Sequence, residues 1–326
     1  MDKIRNCMIG CFSLTAILFS GIGQSQPSYP TKPISVQVGL QAGTGSDIAV
    51  RGMLERVGAA LGQPFVIENS PGASGFVAAQ KVFRTAPDGY QLVALSSGTV
   101  AALPHIDTSL RFDPLKDLVP IAIIATIPSV LFVHPSVPAK TVQEFIDHAR
   151  KNPGKLTYAT GGTGSIQHLA TESFKAITNT DILHVPYKGS GQATLDLVAG
   201  RVDSAFQGVV QVIQFAKNNQ VRLLAWSGSQ RNALFPDLPT LQESGVADFV
   251  YEPWTALFGP AGMPKEIVEK INAEVRKAAN QPDLRERWAS QGLAPKDLNV
   301  TQTEALVRSE YVRTGQIVRA NNIKAN

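Results

Sequence analysis

The stretch ISVQVGLQAGTGSD, residues 34–47, reads as a strand, a glycine-rich turn and the first residues of a helix. Ile34 to Val38 is a β-branched run that predicts the strand, and Ser46 to Leu61 has the apolar spacing of a helix. Between them, Gly39, Gly43 and Gly45 let the backbone approach a ligand closely, and Ser46 and Asp47 are favourable at a helix cap or first turn. Working outward, Phe65 to Glu68 predicts a second strand, Gly75 to Arg84 a second helix and Gln91 to Ser96 a third strand. A βαβαβ rhythm of this kind predicts a parallel sheet with helices on its faces.

The same rhythm restarts at Lys155. KLTYATGGTGSIQH, residues 155–168, again reads as strand, glycine-rich turn and helix start. The helix is expected over Ser165 to Ile177, followed by a strand at Ile182 to Val185 and a helix at Gly191 to Ala199. Further strands are expected at Ser204 to Phe206 and Val221 to Trp226. Two segments, Ile121 to Val133 and Phe249 to Phe258, are placed to carry the chain between lobes, with the helices after Pro264 packing back on the first. The expected organisation is residues 26–128 plus 253–326 for one domain and 129–252 for the other. A chain that leaves a lobe and returns to it makes a two-strand hinge suited to closure.

Open parallel sheets bind ligands where strands end and helices begin, and a helix start offers unpaired N–H groups and a dipole that favours an anion. The candidates at the first turn are Leu40, Ala42, Gly43, Ser46 and Asp47; at the second they are Thr163, Gly164, Ser165 and His168. Either turn alone also fits plain helix capping; the pair points to a clamp for a ligand with one or two carboxylates. His168 is placed to bond the ligand or to be satisfied by neighbouring backbone. Ser96, Ser97 and Thr99, at and after the end of the third strand, offer hydroxyls, and Tyr187 and Lys188 end another strand beside a flexible turn. Lys188 fits a surface charge as well as a cleft wall.

Neither turn carries the lysine of a phosphate-binding loop or the spacing of a dinucleotide fingerprint. There is no Gly-x-Ser-x-Gly elbow, the five histidines lack metal-ligand spacing, and Ser165 with His168 lacks an acidic partner. No catalytic set, metal or cofactor is therefore expected. The 326 residues suit two domains, and 44% hydrophobic with 17% charged residues is an ordinary globular composition. Lys3 and Arg5 before the apolar stretch from Met8 to Ile22, with small residues after it, predict a cleaved export signal over residues 1–25. Both cysteines, Cys7 and Cys11, fall inside it, so the mature chain is expected to hold no disulfide or thiolate site. Its loss removes Lys3, Arg5 and Asp2 and takes the formal charge from +4 to +3. The remaining basic residues are scattered, with no run that marks a nucleic-acid surface.

Over its whole mature length the chain resembles the Bug-type periplasmic solute receptors, the substrate-binding proteins of tripartite tricarboxylate transporters. The resemblance rests on YPTKPI (29–34), AGTGSD (42–47), ENSPGASG (68–75) and APDGY (86–90). It continues through the GGTGS…H turn, HVPYKG (184–189), FPDLPT (235–240) and GPAGMP (259–264). It implies an α/β fold of the periplasmic-binding-protein (Venus-flytrap) type, with two parallel-rich sheets flanked by helices. It also implies a carboxylate held by backbone N–H groups, hydroxyls and ordered water at Ala42, Gly43, Ser46, Asp47, Thr163, Gly164, Ser165 and His168. The implied partners are a small carboxylate ligand and membrane transporter subunits, with the receptor itself a periplasmic monomer. A sensor role is the alternative, and an exported hydrolase or lyase a more distant one.

Two departures from the family pattern bear on the ligand. The first turn usually begins Pro-Phe and carries Gly-Gly, whereas Gly39, Leu40 and Thr44 stand here. After the strand at 204–206 many members carry an aspartate that can meet an amine, and this chain has Gln207. An ammonium in the cleft would be poorly paired. The expected ligand is an amine-free acid, and Leu40 leans towards an aromatic carboxylate.

Overall fold

The computed structural model describes residues 29–320, 323 and 324, Asp248 excepted. The export signal expected over 1–25 lies outside the described residues. The first lobe begins β1 (Ile34–Val38), α1 (Gly45–Leu61), β2 (Phe65–Asn69), α2 (Phe76–Val82) and β3 (Gln91–Ser96). A π-helical turn over Gly98–Ala102 then leads into two one-turn helices, α3 (Leu103–Ile106) and α4 (Pro114–Asp117), and into β4 (Leu118–Thr126). The second lobe runs β5 (Ser129–Val133), α5 (Val142–Lys151), β6 (Thr157–Thr160), α6 (Ile166–Thr178) and β7 (Leu183–Pro186). It continues with α7 (Ser190–Val198), β8 (Ser204–Gly208), α8 (Val209–Lys217) and β9 (Arg222–Trp226). The chain returns through β10 (Trp254–Pro260), α9 (Lys265–Ala279), α10 (Pro282–Ala289), β11 (Ala294–Pro295) and α11 (Val300–Ala320).

The first sheet has strand order β11-β4-β10-β3-β1-β2 and the second β7-β6-β8-β5-β9. Both are mixed. In the first, β1 pairs in parallel with β2 and β3, but β10 runs antiparallel to β3 and β4. In the second, β6 is parallel to β7 and β8, while β5 is antiparallel to β8 and β9. The cause is the hinge. Strands followed by a βα turn end at the cleft, whereas β5 and β10 begin there because the chain has just crossed between lobes. Ile127 on the outward crossing donates its N–H to the Pro253 carbonyl on the return at 2.8 Å.

Helices on both faces bury the central strands completely. β3, β5 and β10 therefore read as continuous apolar runs, whereas edge strand β2 alternates. On one face, Val50, Met53, Leu54 and Val57 of α1 meet Val268, Ile271 and Val275 of α9 over β1 and β4. The last helix packs on the first lobe as expected, with Val307 beside Phe76, Val93 and Ile123, but its end reaches further. Its 21 residues span about 31 Å at 1.5 Å per residue. That is long enough to leave the first lobe, and Val318 and Ile323 join the core of the second with Phe145, Phe174 and Phe206.

Candidate functional site

A cleft of about 540 Å³ separates the lobes. Its walls are the turns that connect strand ends to helix starts. α1 enters through Thr44, Gly45 and Ser46, and α6 through Gly164, Ser165 and Ile166. Ser190 opens α7, and Gly208 and Val210 open α8. Each start leaves N–H groups without an intrahelical partner, and the four dipoles add on one space. Of the described residues that line it, only Lys188 carries a charged side chain. The cleft is thus electropositive mainly through backbone.

The first turn is tightly tied. Thr44 is the cap of α1 and its hydroxyl accepts the Asp47 N–H. Asp47 points away from the cleft. Its carboxylate accepts the Gly43 N–H at 3.0 Å, pairs with Arg51 at 3.0 Å and takes a bond from Asn69 at 2.8 Å. Burial opposes ionisation of Asp47, but the bonds from Asn69, Gly43 and Arg51 outweigh it and hold the carboxyl below its usual range. Ser46 lines the cleft and accepts from the buried Thr255 hydroxyl at 2.8 Å. Leu40 and Gln41 line it also.

Next to this turn, residues 72–75 all have positive φ, from 42° at Ala73 to 135° at Gly72. A Cβ on Gly75 would stand 2.6 Å from the Thr99 hydroxyl, so only glycine fits. Thr99 lines the cleft, but its hydroxyl is committed to the Ser74 carbonyl at 2.6 Å. Ser97 instead accepts the Trp254 N–H, tying the end of β3 to the start of β10.

In the second lobe Ser165 caps α6 and accepts the His168 N–H. Thr163, Gly164 and Ser165 line the cleft; His168 lies behind them, with its Nδ1 accepting the Gly164 N–H at 3.1 Å. Gln207 is fully buried and does not reach the cleft. It donates to the Ser190 carbonyl and the Thr194 hydroxyl and accepts from Gln167 at 2.9 Å, and Gln167 is the amide that faces the cleft. Tyr187 lines the cleft with its hydroxyl turned to Asp196 at 2.9 Å; burial and that bond raise its pKa. The lobes touch at the rim, where Gln41 donates to the Lys188 carbonyl at 3.4 Å and Ser74 to the Thr163 carbonyl at 3.2 Å.

Of the sequence candidates, then, Leu40, Ser46, Ser96, Thr99, Thr163, Gly164, Ser165, Tyr187 and Lys188 meet at the cleft. Ala42, Gly43, Asp47, Ser97, His168 and Gln207 do not line it. Gln41, Ser74, Gln167, Ser190 and Gln211 line it without having been singled out. Only Ser74 and Ser190 carried a signal, each standing in a glycine turn directly after a strand.

A larger hollow of about 790 Å³ lies on the outside of the second lobe, between the start of α5 and β9. Several of its polar groups are occupied. Arg222 donates to the Val137 and Ala139 carbonyls, and Thr141 with Glu144 closes a complete capping box on α5. The interlobe cleft is the better site because four helix starts open into it.

Residues 49–323 match the family model described as the tripartite tricarboxylate transporter family receptor. The chain belongs to this receptor family. BugT of Bordetella pertussis is 31% identical over 318 residues, covering 97% of each chain. Among solved structures, the receptor fold superposes on R. palustris Rpa4515 with adipate at a TM-score of 0.85. Identity there is 30%, covering 91% of this chain and all of that one. MatC from Rhodopseudomonas palustris with bound malate gives 0.81 at 31% identity, over 89% of this chain and all of MatC. A receptor of this family is a binding protein and not an enzyme. The family match carries the receptor role, and the cleft between the lobes is its candidate ligand site.

Proposed function

We propose that the chain captures a small amine-free carboxylate between its lobes and delivers it to the membrane subunits of a tripartite tricarboxylate-type transporter. The observation that carries the reading is the convergence of four helix starts on a cleft whose described lining holds no acidic side chain. Backbone N–H groups favour a carboxylate there. An ammonium would find no carboxylate partner, because Gln207 stands where many members carry aspartate and its amide is already saturated behind Gln167. The adipate and malate held by the two R. palustris relatives are amine-free acids. Leu40, Ile127, Ile166 and Val210 line the remaining wall and suit a hydrocarbon chain or ring. Export by a signal at residues 1–25, a periplasmic location and action as a monomer belong to the same reading.

The test is a thermal-shift panel of adipate, malate, phthalate and glutamate. At 100 times its Kd a native-state ligand adds about 2.7 kcal/mol. A shift with an amine-free acid and none with glutamate is expected. A shift with glutamate alone contradicts the reading.

A further inference from the structure

The two turns are closed by one device built from different chemistry. At α1 the cap Thr44 accepts the Asp47 N–H, and Asp47 reaches back to accept the N–H of Gly43, the residue before the cap. At α6 the cap Ser165 accepts the His168 N–H at 3.3 Å, and His168 Nδ1 reaches back to the Gly164 N–H at 3.1 Å. Both resemble a capping box, with the return bond falling one residue before the cap instead of on the cap itself. A carboxylate goes on accepting as the solution is acidified to its pKa, whereas an imidazole accepts at Nδ1 only while that nitrogen is bare. The bond to Gly164 therefore requires the neutral ring with its proton on Nε2.

We propose that His168 is a positioning residue for the ligand: neutral, it fixes the Thr163–Ser165 turn through the Gly164 N–H, and its protonation releases that turn and weakens capture by the second lobe. The inference rests on the cleft being the carboxylate site. Gly164 has φ 77°, and a Cβ there would stand 3.2 Å from Ile106 of the first lobe, so the segment His168 holds also lies at the interlobe contact. His168 is wired to the rest of the turn as well. It stacks on His184 with centroids 4.1 Å apart, and His184 Nε2 pairs with the Thr160 hydroxyl at 2.7 Å. That hydroxyl accepts the Gly162 N–H.

The titratable groups around the ring are Glu172 and Lys175 on its own helix, Tyr158 from β6 and His184 from β7. Lys175 and Glu172 pair at 2.7 Å and Tyr158 donates to Glu172 at 2.5 Å, so these charges largely offset one another. Burial first, with Lys175 assisting and Glu172 opposing, lowers the His168 pKa. Burial and the neighbouring His168 take His184 down to about 4. Both rings are neutral at pH 7, and a proton on either puts a charge against the face of the other.

The test has two arms. Nitrogen-15 NMR of uniformly labelled, ligand-free protein is expected to show His168 as the Nε2–H tautomer at pH 7, with the Gly164 amide shifting at the His168 midpoint. Calorimetry with adipate then compares wild type, His168→Asn and His168→Ala from pH 7.5 to 4.5. Asn keeps an acceptor at the same place and does not titrate. At pH 7.5, His168→Asn is expected within about threefold of wild type and His168→Ala at least about tenfold weaker. Below the NMR midpoint the wild-type affinity should fall against His168→Asn by up to about tenfold per pH unit. Parallel profiles for wild type and His168→Asn overturn the proposal, as does an Nδ1–H tautomer or a Gly164 amide indifferent to the titration. If adipate binds no variant, the carboxylate reading fails for this acid while the NMR arm still decides the His168 box.

Discussion

Ser46 accepts its hydrogen bond from Thr255, which leaves its own proton for the cleft. Ser46→Ala should therefore weaken carboxylate binding by about 1.5–3 kcal/mol, the range for a bond to a charged group, as read by calorimetry. The same change strands the Thr255 hydroxyl and should lower stability by about 1 kcal/mol in urea unfolding. The histidines give a second prediction. His184 titrates at about 4 in the folded protein against 6.5 as its ordinary value, with burial the main cause. Between those values the unfolded chain binds more protons. Stability should fall as pH drops from about 6.5 towards 4, which a urea series at four pH values will show; a flat profile there contradicts it. Asp47 is lowered from 3.8 and weakens the fold only at still lower pH. At this scale the sequence locates Asp47 and His168 at the turns but not the direction of their side chains. Whether each reaches the ligand or back to the N–H before its cap depends on the capping geometry and on the packing beneath the turn.

Among the elements, the helix starts outweigh the sheets for function, and glycines decide how closely they converge. Gly75→Ala places a Cβ 2.6 Å from Thr99 and forces φ near 94°, so a loss of about 1–3 kcal/mol is expected with a lower melting temperature. Gly191→Ala, in α7 with open space around it, should raise stability by about 0.4–1 kcal/mol. Most elements are legible in the sequence because β-branched runs and helical spacing alternate cleanly. β1 and β3 fall at the expected residues, and α6 and α7 are shifted by one. α8 is not legible because β8 ends at Gly208 and the helix starts at Val209, with no turn residues between them. The antiparallel strands β5 and β10 owe their direction to the hinge, a long-range cause that local pattern does not carry.

At the scale of the molecule, and among the described residues, three connections besides the rim bonds join the lobes: the paired crossings at Ile127 and Pro253, and the end of α11 in the second core. The third is invisible to a reading by segments, since it depends on helix length against lobe width. The rim bond from Gln41 to the Lys188 carbonyl forms only when the lobes meet. Gln41→Ala should leave the melting temperature unchanged and speed ligand release several-fold, read by stopped-flow fluorescence of Trp254 at the start of β10. The most direct test of the account is a crystal structure of the complex with the amine-free acid giving the largest thermal shift. Carboxylate oxygens are expected within hydrogen-bonding distance of N–H groups at the starts of both α1 and α6, with the Ser46 hydroxyl donating. A ligand carboxylate held by the Lys188 side chain alone, or lying outside the interlobe cleft, would contradict it.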